Sequence, residues 1–430
     1  MRVRRTFTAI TVSAALALLA GCAPTQSAPA ASGGDDQTGT LRVWLFDEAS
    51  RAPKEAAVKE AITEFKAAHA GVDVDVQWVP VEGRADKFSG AFNDPSNAPD
   101  VAEFGNTDVA SYAQTGALSD LTGDISSWSE GKDLLPSVLD TAKSGGKTYG
   151  LPWYTGIRAL YYRTDVFTEL GLEPPATLAE LTDDARKIHA AKPDLYGIST
   201  GGKYTYALLP FVWANGGDVA KQDGGKWTST VESPQAKAGI TAYANLLKDD
   251  ICPPAACANL TGTQSVTAFA GGKAGMTIGG DFNRKAVEQA AVKGKYAVVP
   301  LPGTTPGSVA PAFAGGNLLG VFGASKRHGL AVQFAELLAG AKYQEKMYNA
   351  MGNLPTLESV QKKLAASDPT LKPFVDTLAA GTKFVPSTPG WSKIDSQNVL
   401  PTAVQQIATG GKDVDGALAD ATAAMNKNFG

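Results

Sequence analysis

Leu41-Arg42-Val43-Trp44-Leu45-Phe46, Val72-Asp73-Val74-Asp75-Val76 and Asp100-Val101-Ala102-Glu103-Phe104 are three short strand-like runs. The segments between them decide how they pair. The first run is rich in apolar residues and reads as a buried strand. The second alternates with period two, as a strand with one wet face does. Between them, Ala57, Ala61, Ile62 and Phe65 recur at helical spacing over residues 56–68. Residues 85–92 predict a second helix before the third run. Strand, helix, strand, helix, strand is the order of a parallel α/β sheet with right-handed crossovers. Ligands of such sheets bind beyond the carboxyl ends of the strands. In this chain those ends carry Phe46, Asp47 and Glu48 after the first strand, and Asn106, Thr107 and Asp108 after the third.

Towards the N-terminus, Arg2, Arg4 and Arg5 precede an apolar run from Ala9 to Ala20 that closes in Leu19-Ala20-Gly21-Cys22. The run is shorter than the roughly 20 residues a membrane span needs. It reads as a secretory signal peptide over residues 1–21. The closing tetrad resembles the lipobox of bacterial lipoproteins, which implies that Cys22 is acylated and holds the protein at the extracytoplasmic face of the cell membrane. Arg4-Arg5-Thr6-Phe7 matches a twin-arginine signal too briefly to choose the export route. Residues 22–39 hold almost nothing to bury and read as a disordered tether. The formal net charge of the whole chain is −4, with no basic stripe, which argues against nucleic-acid binding. Cys252 and Cys257 suggest a disulfide closing a small loop, with two buried thiols as the alternative. His69, His189 and His328 are isolated, so no metal site is expected, and no cofactor motif occurs.

The body from Thr40 onward is long enough for two lobes. In its second part helices are predicted at 178–191, 204–214, 234–249 and 265–269, with strands in 149–162, 274–278 and 318–322. Pro234 suits a first helical turn. Gly-Gly-Lys recurs five times at irregular spacing, as turns do. Gly197-Ile198-Ser199-Thr200-Gly201 has the form of a nucleophile elbow. A Gly/Ser/Thr loop between strand and helix explains it as fully, and His328 lies on a charged, solvated run. The Gly271-Gly272-Lys273-Ala274 stretch lacks the leading Gly and final Ser/Thr of a phosphate-binding loop. Enzyme chemistry is therefore not expected.

Aromatic residues at turns and helix ends carry the functional signal: Trp153, Tyr154, Tyr204, Tyr206, Trp213, Phe282 and Trp391. Sugars offer apolar C–H faces for flat rings and hydroxyls for short polar side chains. The body also resembles the solute-binding proteins of ABC sugar importers, the family that includes maltose-binding protein. The matching segments are Val43-Trp44-Leu45, Ala98-Pro99-Asp100-Val101, Tyr112-Ala113-Gln114-Thr115-Gly116, Tyr149-Gly150-Leu151-Pro152-Trp153-Tyr154, Leu160 to Phe167, Asn215-Gly216-Gly217, Phe269 to Gly280 and Gly352-Asn353-Leu354-Pro355.

That resemblance implies an α/β, two-lobed periplasmic-binding-protein-like fold with hinge segments and an interlobe cleft. It divides the chain into a first lobe of 40–151 plus 317–351 and a second of 154–314 plus 355–430. Crossings are implied near Leu151 to Trp153, Gly315 to Leu318 and Gly352 to Pro355. It places Asp47, Glu48, Asn106, Thr107, Asp108, Trp153, Tyr154, Tyr204, Tyr206, Asp281, Phe282, Gly316, Asn317 and Trp391 at the ligand. The family's acid falls at a Tyr in the Tyr204/Tyr206 motif, and a frequent stacking Trp falls at Phe282. The implied partners are a di- or oligosaccharide and ABC permease subunits, with the protein itself a monomer. The rival classes are a glycan adhesin and a secreted glycoside hydrolase drawing its acids from Asp47, Glu48, Asp108 and Asp281.

Overall fold

The computed structural model describes residues 35–47, 51–80 and 83–430, so the expected leader, Cys22 and Glu48 lie outside the described residues. In chain order the elements that shape the cleft begin with β1 (Gly39–Phe46), α1 (Arg51–Ala68), β2 (Val72–Val79), α2 (Arg84–Asn93), β3 (Val101–Gly105) and α3 (Val109–Gln114). They continue with β4 (Leu151–Gly156), β5 (Arg158–Arg163), β6 (Tyr196–Ser199), α4 (Thr205–Ala214), β7 (Ala274–Gly280) and β8 (Tyr296–Val299). The last two are β9 (Gly315–Val321) and α5 (Pro389–Ser396).

Two sheets organise the molecule. The first has the order β2-β1-β3-β9-β4. Strands β1, β2 and β3 are parallel, as the opening runs require, and β2 sits at the edge with its alternating wet face. β9 then runs antiparallel to both β3 and β4, so the sheet is mixed. The second sheet has the order β8-β5-β7-β6, with β7 parallel to β6 and antiparallel to β5.

The chain passes between the sheets three times. The first crossing is the single residue Ile157 between β4 and β5. It lies beyond the Leu151–Trp153 point that the resemblance implied, because β4 pairs with β9 in the first sheet as far as Gly156, with one bulge at Trp153. The return runs through Ala314, between the short strand Ala312–Phe313 and β9. The third follows helix Ala341–Met351, which Gly352 ends at φ 87°. Leu354 there bridges to Thr155 of β4. A cluster of buried apolar side chains extends from Leu41, Val43 and Phe334 through Trp153 and Ile157 to Tyr161 and Phe374, giving the hinge side a continuous core. The second lobe has a further core of its own.

Several local signals find their physical counterpart. Ser233 caps helix Pro234–Ala244, with Pro234 in its first turn. Cys252 and Cys257 are bonded, with Cα atoms 6.0 Å apart. Ser199 of the elbow-like stretch is buried and donates to the Ser265 carbonyl at 2.8 Å, as a core hydroxyl does. Trp213 is also buried, its indole N–H donating to Asp218.

Trp391 departs from its expected place at the ligand. Thr388 caps α5, and α5 packs on the C-terminal helix Val414–Phe429, which leaves the Trp391 side chain 1% exposed within the second lobe's core. Trp391→Ala should therefore lower unfolding free energy by about 3–5 kcal/mol in urea titration, as large-to-small core changes do. Ligand affinity of the folded variant should change little. Lost affinity at unchanged stability would return the ring to the site.

Candidate functional site

The first wall of the cleft rests on a buried ion pair. Lys54 of α1 and Glu103 of β3 have no exposed side-chain surface, and their charged atoms lie 2.8 Å apart. Glu103 Oε2 also accepts the Phe46 N–H from the end of β1 at 2.7 Å. Its Oε1 accepts the Tyr154 hydroxyl of β4 at 2.5 Å and Asn317 Nδ2 of β9 at 2.7 Å. The Lys54 ammonium lies 5.0 Å and 5.6 Å from the ring centroids of Trp153 and Tyr154. Isolated buried charges are very costly, so pairing and complete hydrogen bonding are what make this arrangement tenable.

The network also orients the groups that face the ligand space. Asn317 Nδ2 donates to both Glu103 Oε1 and the Tyr154 hydroxyl oxygen. A carboxylate only accepts, so the amide cannot be turned round. Asn106 is held in the same way: its Nδ2 donates to Thr141 Oγ1 at 3.0 Å and to the Ala314 carbonyl at 2.8 Å. Both amides have committed their N–H groups, which leaves their carbonyl oxygens for a hydroxyl donor.

The opposite wall is aromatic and comes from the second lobe. The Arg158 guanidinium lies 5.3–5.7 Å from the ring centroids of Tyr204, Tyr206 and Phe282, and its Nε donates to the Tyr204 hydroxyl at 3.0 Å. Tyr206 stacks on Phe313 with centroids 4.4 Å apart and donates to Asp395 at 2.9 Å. Phe282 is 41% exposed, unusual for a large apolar side chain. Its ring lies against the backbone at Gly280, where a Cβ would come within 2.2 Å of it. Only glycine permits that approach.

Between the walls lies a cavity of about 320 Å³, lined by Asn106, Thr107, Tyr154, Arg158, Tyr206, Phe282, Phe313, Gly316, Asn317 and Asn353, among others. A second space of about 320 Å³ shares Arg158, Tyr206 and Phe282 with it and adds Lys203, Tyr204, Asp395 and Asn398. At one edge the lobes touch directly, where Ser111 and Ser392 hydroxyls are 3.1 Å apart. Asp108 lies at this contact; burial pushes its carboxyl up to about 6, against the pull of Arg84 and with a further push from Asp395 across the lobes. Burial raises Asp395 too, against the Tyr206 hydrogen bond.

Of the residues expected at the ligand, Asn106, Thr107, Tyr154, Tyr206, Phe282, Gly316 and Asn317 line the first cavity, and Tyr204 lines the second. Asp47 turns to Arg51 instead, at 3.3 Å. Asp108 marks the lobe contact. Trp153 is wholly buried beside Lys54, and Asp281 is wholly buried among backbone amides, so neither lines the cavities. Arg158, Phe313, Asn353 and Asp395 were not anticipated. A lone charge opening the apolar strand Arg158-Ala159-Leu160-Tyr161 was a usable signal for the first; the others had none.

Two outcomes follow for stability. Lys54→Met strands a buried carboxylate and should cost about 3–5 kcal/mol of unfolding free energy. Lys346→Ala, at an exposed pair with Glu60, should cost less than about 1 kcal/mol. Equal urea midpoints for the two variants would remove the network's structural role. Asp108 binds a proton in the folded protein at pH values where an unfolded carboxyl, titrating near 3.8, has released it. Its contribution to stability is thus present at low pH and lost as pH rises through about 6. The melting temperature should fall less between pH 5 and pH 8 in Asp108→Asn than in the native protein, and parallel profiles would contradict this.

Comparison with known proteins agrees with this architecture. The chain is 29% identical over 409 residues to the diacetylchitobiose binding protein DasA of Streptomyces coelicolor, covering 90% of this chain and 89% of that protein. It superposes on the sugar-binding protein MalE of Xanthomonas citri with a TM-score of 0.79 at 23% identity, covering 91% of this chain and 97% of that one. An ABC transporter solute-binding protein of Thermotoga lettingae, solved with α-D-tagatose, gives a TM-score of 0.77 at 26% identity, with 91% and 100% covered. Residues 48–345 match the bacterial extracellular solute-binding protein family, and a match over so much of the chain establishes membership: this protein belongs to that family.

Proposed function

We propose that the mature protein captures a di- or oligosaccharide in the interlobe cleft and hands it to the permease of an ABC importer. The observation that carries this reading is the pairing of walls. Phe282 and Tyr206 offer ring faces to sugar C–H groups, and opposite them stand two amide oxygens, of Asn106 and Asn317, oriented to accept hydroxyls. The two adjoining spaces share Arg158, Tyr206 and Phe282, which suits a ligand of more than one ring. The names of the relatives support a carbohydrate: one is a diacetylchitobiose binder, and another was solved with tagatose.

Capture proceeds by lobe closure. A sugar touching both walls favours the closed form by its differential affinity for that form. The closed protein docks on the permease, where other subunits supply the energy, so this chain holds and releases its ligand without chemistry and without a cofactor. Acylated Cys22 and the tether keep the protein, as a monomer, at the outer face of the membrane.

Titration calorimetry of the mature protein against N,N′-diacetylchitobiose, maltose and tagatose tests this reading, with product analysis alongside. Binding of at least one sugar without turnover is expected. Phe282→Ala should then lose on the order of 2 kcal/mol of affinity, as for a buried aromatic anchor. Its unfolding free energy should fall by less than about 1 kcal/mol, because the ring is already 41% exposed. Cleavage of the sugars, or full affinity in Phe282→Ala, would defeat the proposal.

A further inference from the structure

Asp281 opens the short helical turn that follows β7 in the second lobe and is wholly buried. Its Oδ1 accepts the Ile157 N–H at 2.7 Å and its Oδ2 accepts the Leu354 N–H at 3.0 Å. Its own N–H donates to the Ile157 carbonyl at 3.1 Å. Ile157 is the whole of the first crossing between the sheets, and Leu354 belongs to the third. The end of β4, just ahead of the first crossing, is also joined to the third, by Thr155 N–H to the Leu354 carbonyl at 2.9 Å. The start of β9, next to the return crossing, is tied on separately, by the Thr155 hydroxyl to the Gly315 carbonyl at 2.6 Å.

We propose that Asp281 is the pivot of the lobes: a positioning residue whose carboxylate clamps two of the three crossings together and sets the range over which the cleft opens. This rests on the lobe-closure reading. Hinge motion is absorbed by backbone rotation at a few residues of the crossing segments. Two crossings held by one rigid carboxylate cannot take up that rotation independently. Each amide has a carboxylate oxygen to itself, in a place where water does not reach, and an unmade bond there carries the full desolvation cost. The next residue is Phe282, so the clamp also sits one peptide bond from the exposed ring of the cleft.

The side chain's chemistry defines the test. Asparagine is nearly the same size but has one acceptor, and it would set an N–H group against a backbone N–H. Glutamate keeps both acceptors on an arm one methylene longer. Spin labels at Lys59→Cys on α1 and Lys221→Cys in the second lobe, both exposed, report the interlobe distance in the otherwise complete mature chain carrying Cys22→Ser. Asp281→Asn should broaden the ligand-free distance distribution. Hydrogen exchange at Ile157 or Leu354 should quicken about tenfold, with Phe104 and Thr277 in the sheet centres unchanged. Asp281→Glu should shift the mean distance without broadening it.

A folded Asp281→Asn with faster exchange but the native distribution would overturn the pivot and leave Asp281 a static brace. Should Asp281→Asn not fold, Asp281→Glu decides, and the native distribution in that variant overturns the proposal. These readouts need no sugar. If the native protein keeps one narrow distance with and without saturating N,N′-diacetylchitobiose, maltose or tagatose, whichever binds in calorimetry, lobe closure itself fails. If the native lobes move and the variants match them, only the pivot fails.

Discussion

The salt bridge between Lys54 and Glu103 is the constraint on which the first wall of the cleft depends. Neither side chain meets water, so each charge has exchanged its hydration for protein partners. Such a pair is rarely a net source of stability, and a well-packed apolar pair can replace many of them. Replacement here would leave the Phe46 amide, the Tyr154 hydroxyl and the Asn317 amide facing a site with no acceptor. What the pair contributes is orientation. One carboxylate joins β1, β3, β4 and β9 to α1 and turns two cavity-lining side chains into a fixed arrangement before any ligand arrives. Preorganisation of this kind reduces the ordering that binding must otherwise impose.

The second wall is organised by contact instead of charge. Phe282 lies on glycine backbone, Tyr206 leans on Phe313, and Phe313 stacks in turn on Phe384 at 5.6 Å. Arg158 sits among the rings of Tyr204, Tyr206 and Phe282, where a guanidinium is attracted to their faces. The two walls are therefore different in kind: one is a hydrogen-bonded lattice with little freedom, the other a set of packed rings. A ligand with both C–H faces and hydroxyls is the one that satisfies both. The crossings stitched by Asp281 and Thr155 decide how the walls approach each other.

Much of the fold was legible because it depends on periodicity. The apolar run at 41–46, the alternation at 72–76 and the helical spacing after Ala56 each require one backbone form, and their order requires parallel strands. The antiparallel insertion of β9 was not legible, since its pairing with β3 spans more than 200 residues and leaves no local mark. The site divides in the same way. Asn106, Thr107, Tyr206 and Phe282 line the cavity and sit at strand ends and turns, where the sequence pointed to a cleft. Trp153, Asp281 and Trp391 occupy the same kind of sequence position and yet are buried. Sequence gives their neighbours along the chain but not what packs over them. Lys54 lies just ahead of the stretch read as helical, residues 56–68, and only the distant Glu103 explains its burial. Asp395 has no local signal at all.

Closure has an electrostatic cost built into its edge. Near the point where Ser111 meets Ser392, Asp108 and Asp395 are two carboxyls that burial raises, and Asp395 pushes Asp108 further up. Arg84 offsets part of this for Asp108, and the Tyr206 hydroxyl does so for Asp395. Both remain raised, so the closed edge is less favourable with its acids ionised than with them protonated. Under the lobe-closure proposal, ionised acids at this edge work against the lobe contact, and a ligand offsets this through contacts that exist only when both walls reach it. The apparent affinity is then the intrinsic grip of the walls reduced by the closing cost. A modest cost of this kind is useful to a carrier, because the cleft that resists empty closure is also the one that reopens once its ligand is withdrawn.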